Sequence, residues 1–279
     1  MKIAYFPDAV ALNGRDVLAA VVESAQAQGH EMIANSMSAD AAIVWSVLWS
    51  GRMASNRTVY EHYRRQHRPV IVVEVGALIR GHTWKVAVNN VTARGYYGHH
   101  QDLDWDRPQR LGIKLGTEPL TDHSIVIAAQ HSRSLQLSSL SSQEAWIMSQ
   151  IEQLRKFTDR PIRVRPHPRC PLVLPVLPRG VTQERPIKVA GTYDSYDLRY
   201  NCHAMVNYNS GPGIQAAIAG VRPIVDQSSL AHPVGIDHSA IEHPYVTDRT
   251  QWLVEICHTE YTVEELRSGT WLSRIQAAL

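Results

Sequence analysis

The stretch Val206–Val225, VNYNSGPGIQAAIAGVRPIV, is the most informative part of this 279-residue chain. Its first apolar run predicts a strand, NSGPG predicts a turn, and the small residues of Gly213–Ala219 predict a helix that ends at Gly220. A second strand, RPIVD, follows. A helix start leaves amides unpaired and carries partial positive charge, so this bend suits a phosphate. The alternative is a plain strand-to-helix turn whose glycines serve geometry alone.

Outside this stretch, continuous apolar runs recur along the chain. They include AAIVWSV (Ala41–Val47), PVIVVEVG, which ends in the region of Glu74, and SIVIAAQ (Ser124–Gln130). Such runs are typical of parallel strands buried on both faces, and amphipathic segments alternate with them. The pattern therefore predicts an α/β fold with two Rossmann-like domains. Thr83–Tyr97 interrupts it and predicts either a hairpin or an extended loop.

The domain boundary is predicted in a polar segment with two prolines, residues 106–122. This gives a first α/β domain over 1–112, a second over 113–261 and a C-terminal helix over 262–279.

Composition excludes several classes of protein. The chain is 44% hydrophobic and 19% charged, as expected for an ordinary globular protein, and its formal net charge of +2 is too small to indicate nucleic-acid binding by itself. Its three cysteines have no metal-ligand spacing, which favours reduced thiols in a cytoplasmic protein. We see no signal peptide or membrane-spanning run, and so expect no membrane partner.

Polar residues follow three predicted strands of the second domain. AAQHSRS and RVRPHPR end two of them, and the turn described above ends the third. The carboxyl ends of parallel strands meet at one sheet edge, where ligands of open α/β sheets bind. Arg169 is interpreted as a solvated residue of a basic turn. The candidates for binding an anionic ligand are Gln130, His131, Ser132, Arg133, Arg165, His167, Ser210, Gly211, Gly213 and Gln215.

The first domain has one acid, Glu74, after a buried apolar run, which suits a partly desolvated general base. An acid in this place is also often a cap or a salt-bridge partner. His99, His100 and Asp102 are competing bases. Aromatic residues interleaved with arginines suit a flipped nucleotide and its phosphates, although scattered solvated arginines are the plainer interpretation. The candidates for binding an acceptor are Trp49, Arg52, Arg80, His99 and His100.

RPHP followed by NSGPGIQAAIAGVRPIV resembles the two-domain GT-B glycosyltransferases, and most of all the capsule-polysaccharide type. The resemblance implies two domains facing across a cleft, with a nucleotide sugar held in the second domain and its ribose near Gln215, where many relatives have Glu. It also allows the C-terminal helix to pack back on the first domain. Residues Asp40–Gly81 resemble the phage DNA β-glucosyltransferases, with Glu74 in the place of their catalytic Asp and AAQHSRS in the place of a diphosphate-binding loop.

Together these resemblances predict an inverting, metal-independent glycosyltransferase with a nucleoside-diphosphate sugar, most simply a UDP-sugar, as donor. The predicted acceptor is a hydroxymethylated pyrimidine in double-stranded DNA, as in phage DNA hypermodification. The protein would then act in the host cytoplasm, and no protein partner is inferred. A capsule-type saccharide acceptor and a non-catalytic nucleotide-binding protein are the alternatives.

Overall fold

The computed structural model describes residues 1–117, 120–191, 193 and 201–279. The chain divides into two compact units. The first unit comprises Met1–Arg107 and Glu255–Leu279, and the second comprises Pro108–Val254. The predicted ends of the first and second domains are positions 112 and 261. In the structure the first unit ends a few residues before 112, and the chain returns to it a few residues before 261. The physical reason is that residues 255–261 contribute a strand to the first sheet.

The elements have the following bounds. The strands are β1 (Lys2–Tyr5), β2 (Glu31–Ala34), β3 (Ala41–Trp45), β4 (Val70–Val75), β5 (Trp84–Val88), β6 (Ile125–Ala128), β7 (Ile162–Arg165), β8 (Val181–Gln183), β9 (Ala204–Asn207), β10 (Arg222–Val225) and β11 (Glu260–Tyr261). The α-helices are α1 (Arg15–Ala27), α2 (Asn56–Arg65), α3 (Arg107–Arg110), α4 (Gln143–Arg155), α5 (Gly211–Ala219), α6 (Thr250–Cys257), α7 (Val263–Ser268) and α8 (Thr270–Ile275).

The sheet of the second unit has the strand order β10-β9-β6-β7-β8, and all of its strand pairs are parallel. Its core is formed by apolar side chains of these strands together with α4, and it includes the fully buried Ile127 and Ile151. Strands β6, β7 and β8 follow one another across the sheet in chain order, whereas β9 and β10 lie on the other side of β6. The strand order therefore reverses between β6 and β9, and such a reversal creates a crevice at the carboxyl edge.

The sheet of the first unit has the order β11-β5-β4-β3-β1-β2. Strands β1 to β4 are parallel, and every residue of β3 is buried, as its apolar sequence predicts. β5 pairs antiparallel with β4, and β11 pairs antiparallel with β5. The region predicted as a hairpin or loop thus begins with a buried strand. Further along the same region, Val88 and Tyr96 form an antiparallel bridge, which agrees with the hairpin interpretation.

The C-terminal segment packs on the first unit. The indole Nε1 of Trp271 donates to Ser24 Oγ of α1 at 3.0 Å, and the Trp271 side chain is fully buried. Thr262 and Glu265 form a capping box at the start of α7. Glu265 also binds the guanidinium of Arg107. This segment is therefore an integral part of the first unit.

Candidate functional site

Three loops meet at the carboxyl edge of the second sheet. They follow β6, β7 and β9, which are neighbours in the sheet. The loops after β6 and β9 flank the point at which the strand order reverses. Open α/β sheets bind their ligands at this kind of position.

Helix α5 begins at Gly211, with Ser210 as its N-cap residue. Asn207 fixes this helix start from below, because its Oδ1 accepts from Ser210 N at 2.8 Å and its Nδ2 donates to Ala128 O at 2.9 Å. At Gly213, a Cβ atom would lie 2.9 Å from Val225 Cγ1. Glycine at this position therefore allows α5 to pack closely on β10.

Gln130 holds the loops together from inside the protein. It is 4% exposed, and its Oε1 accepts from Asn209 N at 2.9 Å while its Nε2 donates to Asn209 Oδ1 at 3.2 Å. Asn209 Nδ2 donates in turn to Gln136 O at 3.1 Å and to Ser228 Oγ at 2.9 Å. Gln130 was expected to contact a ligand, but both ends of its amide are bound within the protein, so its place is that of a loop anchor.

Basic side chains surround the outer part of this edge. The rings of His131 and His167 lie 5.2 Å apart in an edge-to-face arrangement. Burial lowers the pKa of His131, and the nearby positive charges of Arg133 and Arg169 lower it further. Arg169, which the sequence analysis treated as solvated, therefore lies close enough to contribute to the same positive field. An anion placed here would meet cations from two loops.

The remaining candidates of the second unit occupy the same edge with different partners. Ser132 is exposed, and its Oγ lies 3.3 Å from Cys170 Sγ of the β7 loop. Arg165 ends β7, is half-buried and has its Nη2 3.9 Å from Met205 Sδ. Gln215 is half-buried in the second turn of α5.

In the first unit, Glu74 is the fifth residue of β4 and is half-buried. Its Oε2 accepts from Ser46 Oγ at 2.7 Å and from Val47 N at 3.2 Å, and its Oε1 accepts from Val75 N at 2.9 Å. Ser46 has φ = 65°, a conformation that is costly for a non-glycine residue. Glu74 therefore holds the turn that follows β3. This role is close to that of a cap, one of the alternatives given for this acid in the sequence analysis.

Trp49 and Arg52 share the segment after β3. The Trp49 ring lies 5.7 Å from that of Tyr60, and Arg52 is exposed in the short 3₁₀ turn Gly51–Ser55. Arg80 lies in the connection between β4 and β5, where its Nη1 donates to Gly76 O at 3.0 Å.

His99 and His100 lie beside the C-terminal segment instead. His99 O accepts from Arg274 Nη2 at 3.1 Å, and His100 Nδ1 lies 3.8 Å from Glu255 Oε1. Both histidine side chains are exposed. The acceptor candidates thus form two groups, one after the parallel strands β3 and β4 and one against the C-terminal residues.

Sequence reasoning missed the two asparagines that organise the site, Asn207 and Asn209. Both are buried, at 0% and 5% exposure. Their spacing of two residues at the end of a buried strand, in VNYNS, was the available signal. A polar residue at such a place needs hydrogen-bond partners, and neighbouring loops provide them.

Two kinds of feature are absent from residues 1–117, 120–191, 193 and 201–279. Among these residues, no group of three or more His, Cys, Asp or Glu side chains could hold a metal ion. In the same part of the chain, no helix is both long enough and apolar enough to span a membrane.

With this geometry in hand, comparison with solved structures assigns the fold. The chain is similar to a structure of KpsC, β-Kdo 2,4-transferase, from Thermosulfurimonas dismutans, with a TM-score of 0.52 at 11% identity over 96% of this chain and 98% of that one. It also matches a structure of KpsC, β-Kdo 2,7-transferase, from the same organism, with a TM-score of 0.48 at 12% identity and full coverage of both chains. No protein-family model and no curated protein sequence matches the chain.

The fold is GT-B. The prediction of an α/β protein with two Rossmann-like domains of this type is confirmed, since each unit contains its own sheet and the KpsC similarity extends over nearly the whole chain. The predicted resemblance to the GT-B glycosyltransferases is thus supported at the level of the fold, and the likeness to the capsule-polysaccharide type stays a prediction from sequence. The resemblance of Asp40–Gly81 to the phage DNA enzymes is not shown by these comparisons and remains a prediction from sequence.

Proposed function

We propose that the protein is a glycosyltransferase that uses a nucleotide-activated sugar and binds the phosphate of this donor at the carboxyl edge of the second sheet. One observation carries the proposal. The start of α5 and the basic side chains of the β6 and β7 loops converge beside the reversal of strand order between β6 and β9. The GT-B fold and the transferase named in the KpsC structure are consistent with this activity.

The chemistry at this edge is stabilisation of a departing phosphate. When the bond between the sugar and the phosphate breaks, negative charge develops on the phosphate oxygens. Arg133, Arg165 and the amides at the start of α5 are the groups that we propose to stabilise this charge. We propose a nucleoside-diphosphate sugar, with a UDP-sugar as the first donor to test, and a reaction that needs no metal ion.

Glu74 is the base that we propose for the acceptor hydroxyl. The donors from Ser46 and Val47 fix its Oε2, and Oε1 accepts a hydrogen bond from Val75 N. A rigid carboxylate at the carboxyl end of a central strand can accept a proton as the new glycosidic bond forms. Direct attack on the sugar with such a base would invert the anomeric configuration.

For the acceptor we propose a hydroxymethylated pyrimidine in double-stranded DNA. Support comes from the exposed Arg52 near Trp49, and from the exposed Arg57 and Arg65 on the adjacent α2, which suit a phosphate backbone beside a stacked base. A saccharide hydroxyl is the second candidate, and the Kdo transferase named in the KpsC structure favours it.

The experiment is a transfer assay with a panel of radiolabelled nucleotide sugars. The acceptors are hydroxymethylated DNA, plain DNA and capsule-type oligosaccharides, and each reaction is run with and without a chelator. We expect label in hydroxymethylated DNA, with the inverted anomer and no loss on chelation. Label in the oligosaccharides alone would reassign the acceptor, and no transfer from any donor would refute the function.

Two variants test the donor site by calorimetry. Arg133→Ala should weaken donor binding by about 1.5–3 kcal/mol, the typical contribution of a hydrogen bond to a charged group. Arg179→Ala is the matched control, because Arg179 is exposed just before β8, at the amino edge of the same sheet. Equal donor affinity in the two variants would exclude the proposed phosphate position.

Glu74→Gln tests the base, since it keeps the shape of the side chain and removes its charge. Turnover should fall by about 10²–10⁴-fold with donor affinity unchanged, as expected for a general base. Turnover close to that of the parent protein would exclude Glu74 as the general base. His99, His100 and Asp102 would then be tested in that role.

A further inference from the structure

Three charged residues lie side by side across the sheet of the first unit. In the strand register, Glu74 of β4 is opposite Lys85 of β5, and Lys85 is opposite Glu260 of β11. Directly opposed residues of antiparallel strands point to the same face of a sheet. Glu260 is 0% exposed and Lys85 is 6% exposed, so two of these three groups are removed from water.

The Glu260 carboxylate binds the connection between β4 and β5. Its Oε1 accepts from Ala77 N at 2.6 Å, and its Oε2 accepts from Leu78 N at 3.0 Å and from Thr83 Oγ1 at 2.8 Å. At Gly76 the same carboxylate leaves no room for a Cβ atom. These contacts fix the ends of residues 76–83, the connection that contains Arg80.

Lys85 provides the matching positive charge. Its Nζ lies 3.9 Å from Glu260 Oε1. Burial lowers the pKa of Lys85, whereas the carboxylates of Glu260 and Glu74 act to raise it. A buried carboxylate that loses its cation keeps the full cost of desolvation, so each member of the pair depends on the other.

We infer that Glu260 and Lys85 are positioning residues for the acceptor side of the reaction. The pair fixes the 76–83 connection, and Lys85 is opposite Glu74 in the strand register. The inference rests on the proposed function for its catalytic consequence, but its structural part can be measured without any substrate. Neither residue follows a predicted strand of the parallel sheet, so the sequence pattern did not reveal them.

The structural part is tested by hydrogen–deuterium exchange of the peptide that covers residues 76–83. Glu260→Gln removes the charge. Thr83→Val, a milder variant if the first folds poorly, removes one bond to Glu260 and the bonds of Thr83 Oγ1 to Ile79 N and Ile79 O, with little change of shape. We expect exchange in this peptide to become at least about tenfold faster, while peptides of the second unit are unchanged. Glu23→Gln, at an exposed site on α1, is the control for loss of a carboxylate. Exchange equal to that of the control in both variants would overturn the inference.

The catalytic part is tested with Lys85→Met and Lys85→Arg in the transfer assay. Small misplacements of reacting groups cost up to about 100-fold in rate. Lys85→Met should therefore lower kcat by about 10- to 100-fold with the donor KM unchanged, and Lys85→Arg should recover a large part of that loss. Faster exchange with unchanged kcat would overturn the positioning role. Absence of transfer in the parent protein would instead refute the proposed function. The exchange experiment would still test whether Glu260 and Lys85 fix the 76–83 connection.

Discussion

Replacing Asn209 by alanine tests whether the polar network beneath the candidate site holds its loops together. The Asn209 side chain is buried and makes three hydrogen bonds, to the side chain of Gln130, the carbonyl of Gln136 and the hydroxyl of Ser228. Each such bond contributes about 1 kcal/mol net, and the partners left behind are mostly buried. We therefore expect Asn209→Ala to lower the free energy of unfolding of the second unit by about 2–4 kcal/mol.

The assay is urea unfolding followed by circular dichroism, with hydrogen exchange of the β6 and β9 peptides to assign the transition to the second unit. With a urea slope of about 2 kcal/mol per molar, the midpoint should fall by about 1–2 M. Asn201→Ala is a matched control, because Asn201 also hydrogen-bonds through its side chain but is exposed. The same midpoint in both variants would refute the reasoning, since water would then be replacing the lost bonds.

Three further predictions concern the second unit. Hydrogen bonds from Arg160 hold the pKa of Glu242 at about 2, below its usual 4.5, so this stabilisation is complete above pH 4.5 and is lost as the pH falls towards 2. Because the pair is partly exposed, we expect Glu242→Gln to lower the free energy of unfolding at pH 7 by no more than about 1 kcal/mol. The thermal unfolding midpoint of this variant should also fall less than that of the parent protein as the pH is lowered from 4.5 towards 2. Gly213→Ala should cost about 1–3 kcal/mol through the clash with Val225, measured by thermal unfolding; an unchanged midpoint would contradict the packing argument. A thiol reagent should label Cys170 quickly in the native protein and the two buried cysteines only after unfolding; equal rates for all three would contradict their burial.

The alternation of apolar runs and helices predicted much of the fold, because burial on both faces of a parallel strand leaves a clear pattern. The turn after β9 and the helix that follows it were located correctly for this reason. For the region of β5 the sequence predicts only a hairpin or an extended loop, because residues 83–100 are rich in Asn, Gly, His and Tyr. The ion-pair partner of the buried Lys85 is Glu260, which lies 175 positions along the chain, and single-sequence patterns do not show such pairs.

The sequence predicted where the candidate site lies better than it predicted which contacts the side chains make there. Parallel strands place the loops that follow them at one edge, so His131, Arg133 and His167 could be assigned there from sequence. Whether a polar side chain faces outward or inward depends on the neighbouring loops. Gln130 was expected to face a ligand and instead binds Asn209, and this could be decided only with the loops in place.

The return of Glu255–Leu279 to the first unit has a consequence for how the protein is made. A ribosome completes the second unit, which is one continuous stretch, before it has added the strand that pairs with β5. Until then the nascent first unit contains Lys85 without its buried counter-charge and lacks the indole of Trp271 on α1. Domains commonly fold in the order of their synthesis. We expect the reverse order in this protein, with the unit that is translated first reaching its final structure last.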